Sequence, residues 1–176
     1  MSAPTDSTPH APTQSVNDPI AELHFKYYTF DAMAYNTVGC TVLYNQRYQV
    51  DDRPDKLAKP PHDAQYRDRY SDGEGVYQSP GIVVVKWTSM DGRHHEADVD
   101  LGKIFPDHRA VHRVHDSEIP EGWIRDDVKP SIFLEVDDRT IRVFMRTHVG
   151  TKMEQIPGNK NSRFRDDLIE AWHKTY

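Results

Sequence analysis

The stretch "GIVVVKWTSMDGRHHEADVD", residues 81–100, constrains the fold more than any other part of the chain. An Asp-Gly pair between two extended runs is the strongest short-range signal for a β-hairpin. The pattern therefore predicts two antiparallel strands that turn at Asp91 and Gly92. The first run is continuously apolar, which is typical of a strand buried on both faces. The second run alternates, which places His95, Ala97, Val99 and Leu101 on one face and His94, Glu96, Asp98 and Asp100 on the other.

Three further stretches have the texture of strands. "LHFKYYTFDAMAYN" and "TVGCTVLYNQRYQV" are aromatic and β-branched, and they predict two strands paired around residues 35–37, with a bulge at Gly39. "SIFLEVDDRTIRVFM" predicts a second hairpin, with weak cross-strand ion pairs between Glu135 and the neighbouring Arg142 and Arg146. Its core-facing side chains are Ile132, Leu134, Val136, Ile141, Val143 and Met145.

The last segment, "NSRFRDDLIEAWHKTY", predicts an α-helix. Asn161 or Ser162 would cap its first turn. The apolar stripe at helical spacing consists of Phe164, Leu168, Ile169 and Trp172. Together these patterns predict a mainly β (α+β) fold, namely an antiparallel sheet or β-sandwich of about six to eight strands with one C-terminal α-helix.

The chain of 176 residues is long enough for one domain with a core of its own. Residues 1–21 are rich in Ser, Thr and Pro, and they predict a disordered tether ahead of a single β-rich domain over residues 22–176. Residues 51–80 predict a long loop within that domain. The tether is either a cytoplasmic tail or the spacer of an exported lipoprotein. No apolar run is long enough to predict a membrane span.

Charge and cysteine content narrow the classes of function. The net charge is −6, from 28 acidic and 22 basic residues, which argues against a protein that binds nucleic acid. The single cysteine, Cys40, excludes an internal disulfide and a cysteine-based zinc site. No G-x-S-x-G nucleophile motif is present. We therefore expect no cofactor and no enzyme activity.

The histidine clusters leave a metal site open as an alternative. His94, Glu96, Asp98 and Asp100 lie on one strand face, but spacings of about 6.8 Å along a straight strand are too wide for all of them to bind one ion. If their segment is helical, His108, His112 and His115 share one face and could bind zinc there, although "AVHRVH" is more typical of a strand. The alternative is thus a metal-dependent enzyme or metal-binding domain that combines the two clusters.

Protein binding is the function that the composition favours. Aromatic side chains occur in loops, and Tyr and Trp are enriched at protein interfaces. An acidic surface suits a basic partner. The predicted contact residues are Tyr66, Tyr70, Tyr77, His94, Glu96, Asp98, Asp100 and Trp123.

Three segments resemble the immunity proteins of type VI secretion lipase effectors: "YYTFDAMAYNTVGCTVLYNQ", "GIVVVKWTSMDGRHHEADVDLGKIFP" and "PSIFLEVDDRTIRVFMRTHVGTK". The resemblance implies a protein without chemistry of its own that binds a cognate phospholipase toxin and inhibits it. It also implies a periplasmic lipoprotein, with residues 1–21 as its tether. Met1 stands where a mature lipoprotein begins with cysteine, so a cytoplasmic location stays open.

Overall fold

The computed structural model describes residues 17–73 and 75–176. This part of the chain contains eleven strands, one short α-helix and four 3-10 helices. The strands are β1 (Thr29–Tyr35), β2 (Thr37–Tyr44), β3 (Arg47–Asp51), β4 (Leu57–Ala58), β5 (Ile82–Ser89), β6 (His94–Asp100), β7 (Ser131–Asp137), β8 (Thr140–Arg146), β9 (Val149–Gly150), β10 (Phe164–Arg165) and β11 (Leu168–Thr175). The α-helix, α1, is Leu101–Ile104, and the 3-10 helices are Tyr66–Arg69, Pro106–His108, Asp116–Glu118 and Lys160–Ser162.

Two sheets face each other around one apolar core. The first sheet has the order β1-β7-β8-β11, and only β1 and β7 run parallel in it. The second has the order β3-β2-β5-β6, with β4 also paired to β2. Phe30 and Tyr44 pack between the sheets with ring centroids 4.5 Å apart, and Trp87 Nε1 donates to the Asp138 carbonyl oxygen at 2.6 Å. The predicted mainly β class is confirmed, although the described strands exceed the predicted number.

Both predicted hairpins form. In the first, Val83 pairs with Val99 and Val85 with Ala97, and all four face the core. Burial of β5 on both faces was a wrong prediction, because Ile82 is 54% exposed and the strand alternates. The strand buried on both faces is β7, in which residues 131–136 are all buried.

The predicted pairing of β1 with β2 is wrong. The chain turns at Asn36, which has a φ of 49°, and crosses from the first sheet to the second. The predicted bulge at Gly39 is confirmed, because the pairing of β2 with β5 shifts register between Val38 and Thr41. Gly39 has a φ of +59°, and a Cβ there would lie 2.8 Å from the Pro54 carbonyl oxygen, so glycine is required.

The C-terminal helix was also a wrong prediction, since Leu168–Thr175 is strand β11, paired with β8. A bulge between Glu170 and Trp172 shifts its register. Ile169 and Trp172 consequently pair with Met145 and Val143, which are both core residues. A three-residue apolar spacing therefore fits a bulged strand as well as a helix. The backbone of β8 also gains a second hydrogen-bonded neighbour.

The folded domain begins earlier than residue 22. Ile20 forms a bridge with His115, and Ala21 is buried. The rest of the predicted tether, residues 1–16, lies outside the described residues. Within the described ranges, no helix has the length and hydrophobicity that crossing a membrane requires. The predicted loop at residues 51–80 is largely irregular but includes β4 and the first 3-10 helix.

Candidate functional site

The polar face predicted for the first hairpin lies on the outer side of the second sheet. Lys86 pairs with Glu96 at 3.1 Å, and the Asp100 side chain accepts from the Lys103 backbone N–H at 3.1 Å at the start of α1. Asp98 is exposed and makes no side-chain hydrogen bond or ion pair with any residue that the structure describes. An unpaired carboxylate next to two others attracts a cationic partner.

Apolar side chains lie beside these carboxylates on the same face. Leu43 pairs with Val84 on one side and with Tyr48 on the other, so all three point outward. Ile82 is 54% exposed and Tyr48 is 55% exposed. We call this surface the acidic face, and it consists of Leu43, Tyr48, Ile82, Val84, Lys86, His94, Glu96, Asp98 and Asp100. Exposed apolar side chains ringed by charge are typical of a protein-binding surface.

The predicted aromatic contacts are dispersed over the molecule. Tyr77 borders a cleft of about 650 Å³ together with Ile82, which places it next to the acidic face. Trp123 is half-buried against Gly150 and belongs to a separate shallow pocket. Tyr70, also a predicted contact residue, is only 8% exposed and so offers a partner little surface.

Tyr70 belongs to a polar cluster on the outer side of the first sheet. At its centre is the Glu135 side chain, which has no exposed surface. Arg67 donates to both carboxylate oxygens, from Nε at 3.0 Å and from a terminal nitrogen at 2.7 Å. The Tyr66 and Tyr70 hydroxyls donate to Oε2 at 3.0 and 2.6 Å. We call these residues, with Arg142 at 3.5 Å, the Glu135 cluster.

The electrostatics of this cluster favour an ionised glutamate. Burial alone would raise the pKa of Glu135, but hydrogen bonds from Arg67 and Tyr70 outweigh it and lower the pKa below its ordinary value. The neighbouring tyrosines shift the opposite way: burial and the Glu135 charge raise the pKa of Tyr66 to about 12. The tyrosines thus remain neutral donors at physiological pH.

Residues 66–73, which we call the strap, carry three of the five residues of this cluster across the first sheet. Arg146 donates to the carbonyl oxygens of Arg67 and Tyr70 at the end of the 3-10 helix. Gly73 lies so close to β1 that a Cβ there would be 2.0 Å from the Phe30 carbonyl oxygen. The strap therefore covers the outer face of this sheet, and the cluster's polar groups serve its attachment.

The histidines predicted as metal ligands do not converge. His108, His112 and His115 are not in one helix; His108 stacks on Phe25 with centroids 5.3 Å apart. His112 Nε2 donates to the Ala21 carbonyl oxygen at 2.8 Å, and its Nδ1 accepts from a backbone N–H, which occupies both ring nitrogens. Within residues 17–73 and 75–176, no three His, Cys, Asp or Glu side chains are placed to hold an ion.

A serine–histidine pair occurs at the end of the first hairpin. His95 Nε2 lies 2.8 Å from Ser89 Oγ, but that hydroxyl donates its single hydrogen to Asp91. His95 is consequently the donor in the pair, which is the reverse of a general base. Ser89 is also only 1% exposed, so a substrate does not reach it. These hydrogen bonds stabilise the turn of the hairpin.

Comparisons with protein families, curated proteins and solved structures give no match to this chain. Inferences about function therefore depend on the surfaces and on the residues themselves.

The Glu135 cluster is the arrangement that the sequence prediction missed. The sequence predicts weak pairs of Glu135 with Arg142 and Arg146. Its main partner is instead Arg67, distant in sequence, and Arg146 donates to backbone carbonyl oxygens. The sequence contains one signal for it: a single acidic residue within the otherwise apolar run "IFLEV", residues 132–136, is typical of a buried, paired carboxylate.

Proposed function

We propose that this protein is a non-enzymatic immunity protein that binds and inhibits a cognate bacterial toxin. The observation that supports binding is the acidic face, which exposes the apolar side chains of Ile82 and Tyr48 on the same side of the sheet as the unpaired carboxylate of Asp98. The class of toxin, a type VI secretion phospholipase effector, follows from the resemblance of the strand segments. In this proposal residues 1–21 tether the domain in the periplasm.

The two parts of the acidic face have different roles in this proposal. Ile82 and Tyr48 are the apolar anchors, whose burial supplies most of the affinity. Glu96, Asp98 and Asp100 accelerate association with a basic surface of the toxin and select the orientation of docking. Inhibition follows if the bound protein covers the toxin's active site or blocks the movement that opens it.

The direct test uses the product of the lipase effector gene that this proposal predicts beside the gene for this protein. We expect the two purified proteins to form a complex at micromolar concentration or below, and we expect the complex to lose phospholipase activity in proportion to occupancy. Calorimetry measures the first quantity and a fluorogenic phospholipid assay measures the second. Absence of binding at micromolar concentration would reject the proposed function.

A charge reversal tests where the toxin binds. We expect Asp98→Lys to slow association by about two- to tenfold and to weaken its dependence on ionic strength. Glu121→Lys makes the same change of charge at another exposed position and serves as the control. Stopped-flow association at several salt concentrations measures both. Equal rates for the two variants would place the interface away from the acidic face.

A further inference from the structure

Strand β1 is an edge of the first sheet with one side unpaired by any described strand. The Thr29 N–H donates to the Pro130 carbonyl oxygen, and the Tyr35 carbonyl oxygen accepts from the Asp138 N–H, each at 3.1 Å. Both bonds point toward β7. Because backbone groups alternate sides along a strand, the intervening even-numbered residues direct their N–H and C=O groups away from the sheet.

Two of these edge residues have available backbone groups. The Ala32 N–H is bonded to the Asp31 carboxylate at 2.8 Å, which leaves the Ala32 carbonyl oxygen. Ala34 makes no backbone hydrogen bond on this side with any residue in the described ranges. A strand edge whose backbone N–H and C=O groups lack hydrogen-bond partners is a template for a further strand.

The other edge strands are better protected than β1. Pairing is interrupted by a register shift in β3 and by another in β11, and β6 carries a row of charges. Bulges and charges are the usual devices against unwanted strand pairing. By contrast, β1 keeps an uninterrupted register from Thr29 to Tyr35.

A cleft of about 680 Å³ runs along this edge, and we call it the β1 cleft. Five consecutive residues of β1, 31–35, line it, which corresponds to about 17 Å of extended chain. Pro60 and Pro61 also line the cleft, and proline has no backbone N–H to donate. The cleft thus has the length of a short extended peptide, while these wall residues do not donate to β1.

The charged side chains that line the β1 cleft are three basic ones, Lys56, Lys59 and Arg69, and two acidic ones, Asp31 and Asp52. Lys56 and Arg69 are paired with Asp52 and Asp63, whereas Lys59 is exposed and has no partner among the residues that the structure describes. His62 also lines the cleft. The sign of charge is opposite to that of the acidic face, so the complementary occupant carries a carboxylate near Lys59.

We propose that an extended segment of the toxin, bearing an acidic side chain, binds in the β1 cleft as an added strand beside β1. Its backbone bonds to the Ala32 carbonyl oxygen and to both groups of Ala34, and its carboxylate pairs with Lys59. Strand addition of this kind derives affinity from main-chain hydrogen bonds and specificity from alternate side chains. The inference rests on the proposed function, because the occupant is part of the toxin.

Amide hydrogen exchange tests the added strand in the unmodified protein. We expect the Ala34 amide to exchange at least about tenfold more slowly in the complex with the neighbouring lipase effector than in the free protein. Two variants complement this measurement. Ala34→Pro removes the donor but spares the bonds to β7, and proline is tolerated at an edge position of this type; we expect affinity to fall by about tenfold.

Lys59→Glu is the second variant, and we expect it to weaken binding by about three- to tenfold. Lys160→Glu, at another exposed position, is its charge-matched control and should bind like the wild type. A complex that forms while Ala34 exchanges as fast as in the free protein overturns the added strand and leaves the proposed function intact. Absence of any complex rejects both. Concentration-dependent protection of Ala34 without toxin would identify a second copy of this chain as the occupant instead.

Discussion

The outer face of the first sheet is covered by the strap, whereas the outer face of the second sheet is open to solvent. Both faces carry carboxylates and basic side chains at cross-strand positions. On the covered face, Glu135 is fully buried and receives hydrogen bonds from Arg67, Tyr66 and Tyr70. On the open face, Lys86 and Glu96 form a pair in which both side chains are more than half exposed.

The comparison shows that the same residue types are buried and held by several partners in one place and exposed to water in the other. A buried carboxylate is costly unless it keeps all its partners, so the Glu135 cluster holds the strap in one position. An exposed carboxylate is already hydrated, so its loss hardly changes folding but alters the field that a partner meets. Substitutions on the two faces should therefore have effects of very different kinds.

Removal of the buried carboxylate should have the largest effect. We expect Glu135→Ala to lower the free energy of unfolding by about 3–5 kcal/mol, because Arg67 and Arg142 lose their shared partner. Glu96→Ala on the open face is the control and should change it by less than about 0.5 kcal/mol. Urea denaturation followed by circular dichroism measures both. Similar losses for the two variants would contradict the distinction between the faces.

Removal of one hydroxyl from the covered face should have a smaller effect. Tyr70→Phe deletes the donor that lies 2.6 Å from Glu135, and we expect a loss of about 1.5–3 kcal/mol in the free energy of unfolding. Tyr48→Phe on the acidic face removes an exposed hydroxyl, for which no change is expected. The same urea titrations measure the free energy of unfolding of both variants. No change in Tyr70→Phe would mean that this hydrogen bond adds nothing to the attachment of the strap.

Low pH should destabilise the folded protein, because it protonates Glu135 on the covered face. Its pKa in the folded protein lies below the ordinary value of 4.5, so its ionised form stabilises the fold fully above about pH 4.5. This contribution is lost as the pH falls through the folded-state pKa. We expect the stability difference between wild type and Glu135→Ala to shrink as the pH falls below about 4.5. A constant difference between pH 7 and pH 3 would show that folding does not change the pKa of Glu135.

The smallest effect should come from the ion pair on the open face. A double-mutant cycle with Lys86→Ala and Glu96→Ala should give a coupling energy of about 0.2–1 kcal/mol, because water and salt screen exposed pairs. The coupling should decline further in 0.5 M salt. A coupling above about 2 kcal/mol, measured by the same denaturation, would mean that the pair is desolvated and that the acidic face is less open than the structure indicates.

Local patterns predicted the hairpins and the polar face of β6 correctly, because each depends on residues that are neighbours along the chain. Turn signals at Asp91 and Gly92 specify where the strand reverses, and the two-residue period then assigns every side chain of β6 to a face. The same kind of pattern failed at β11, where the bulge beside Glu170 gave a strand the apolar spacing of a helix.

The sequence by itself determined the mainly β class, both hairpins and the alternation that makes the acidic face. Tertiary structure alone decided that β1 and β2 belong to different sheets, that Arg67 reaches Glu135, and that the strap covers one outer face. The physical reason is the range of the interactions. Strand alternation and turns are set by residues a few positions apart, whereas sheet assignment and the pairing of a buried charge depend on segments that meet only after folding.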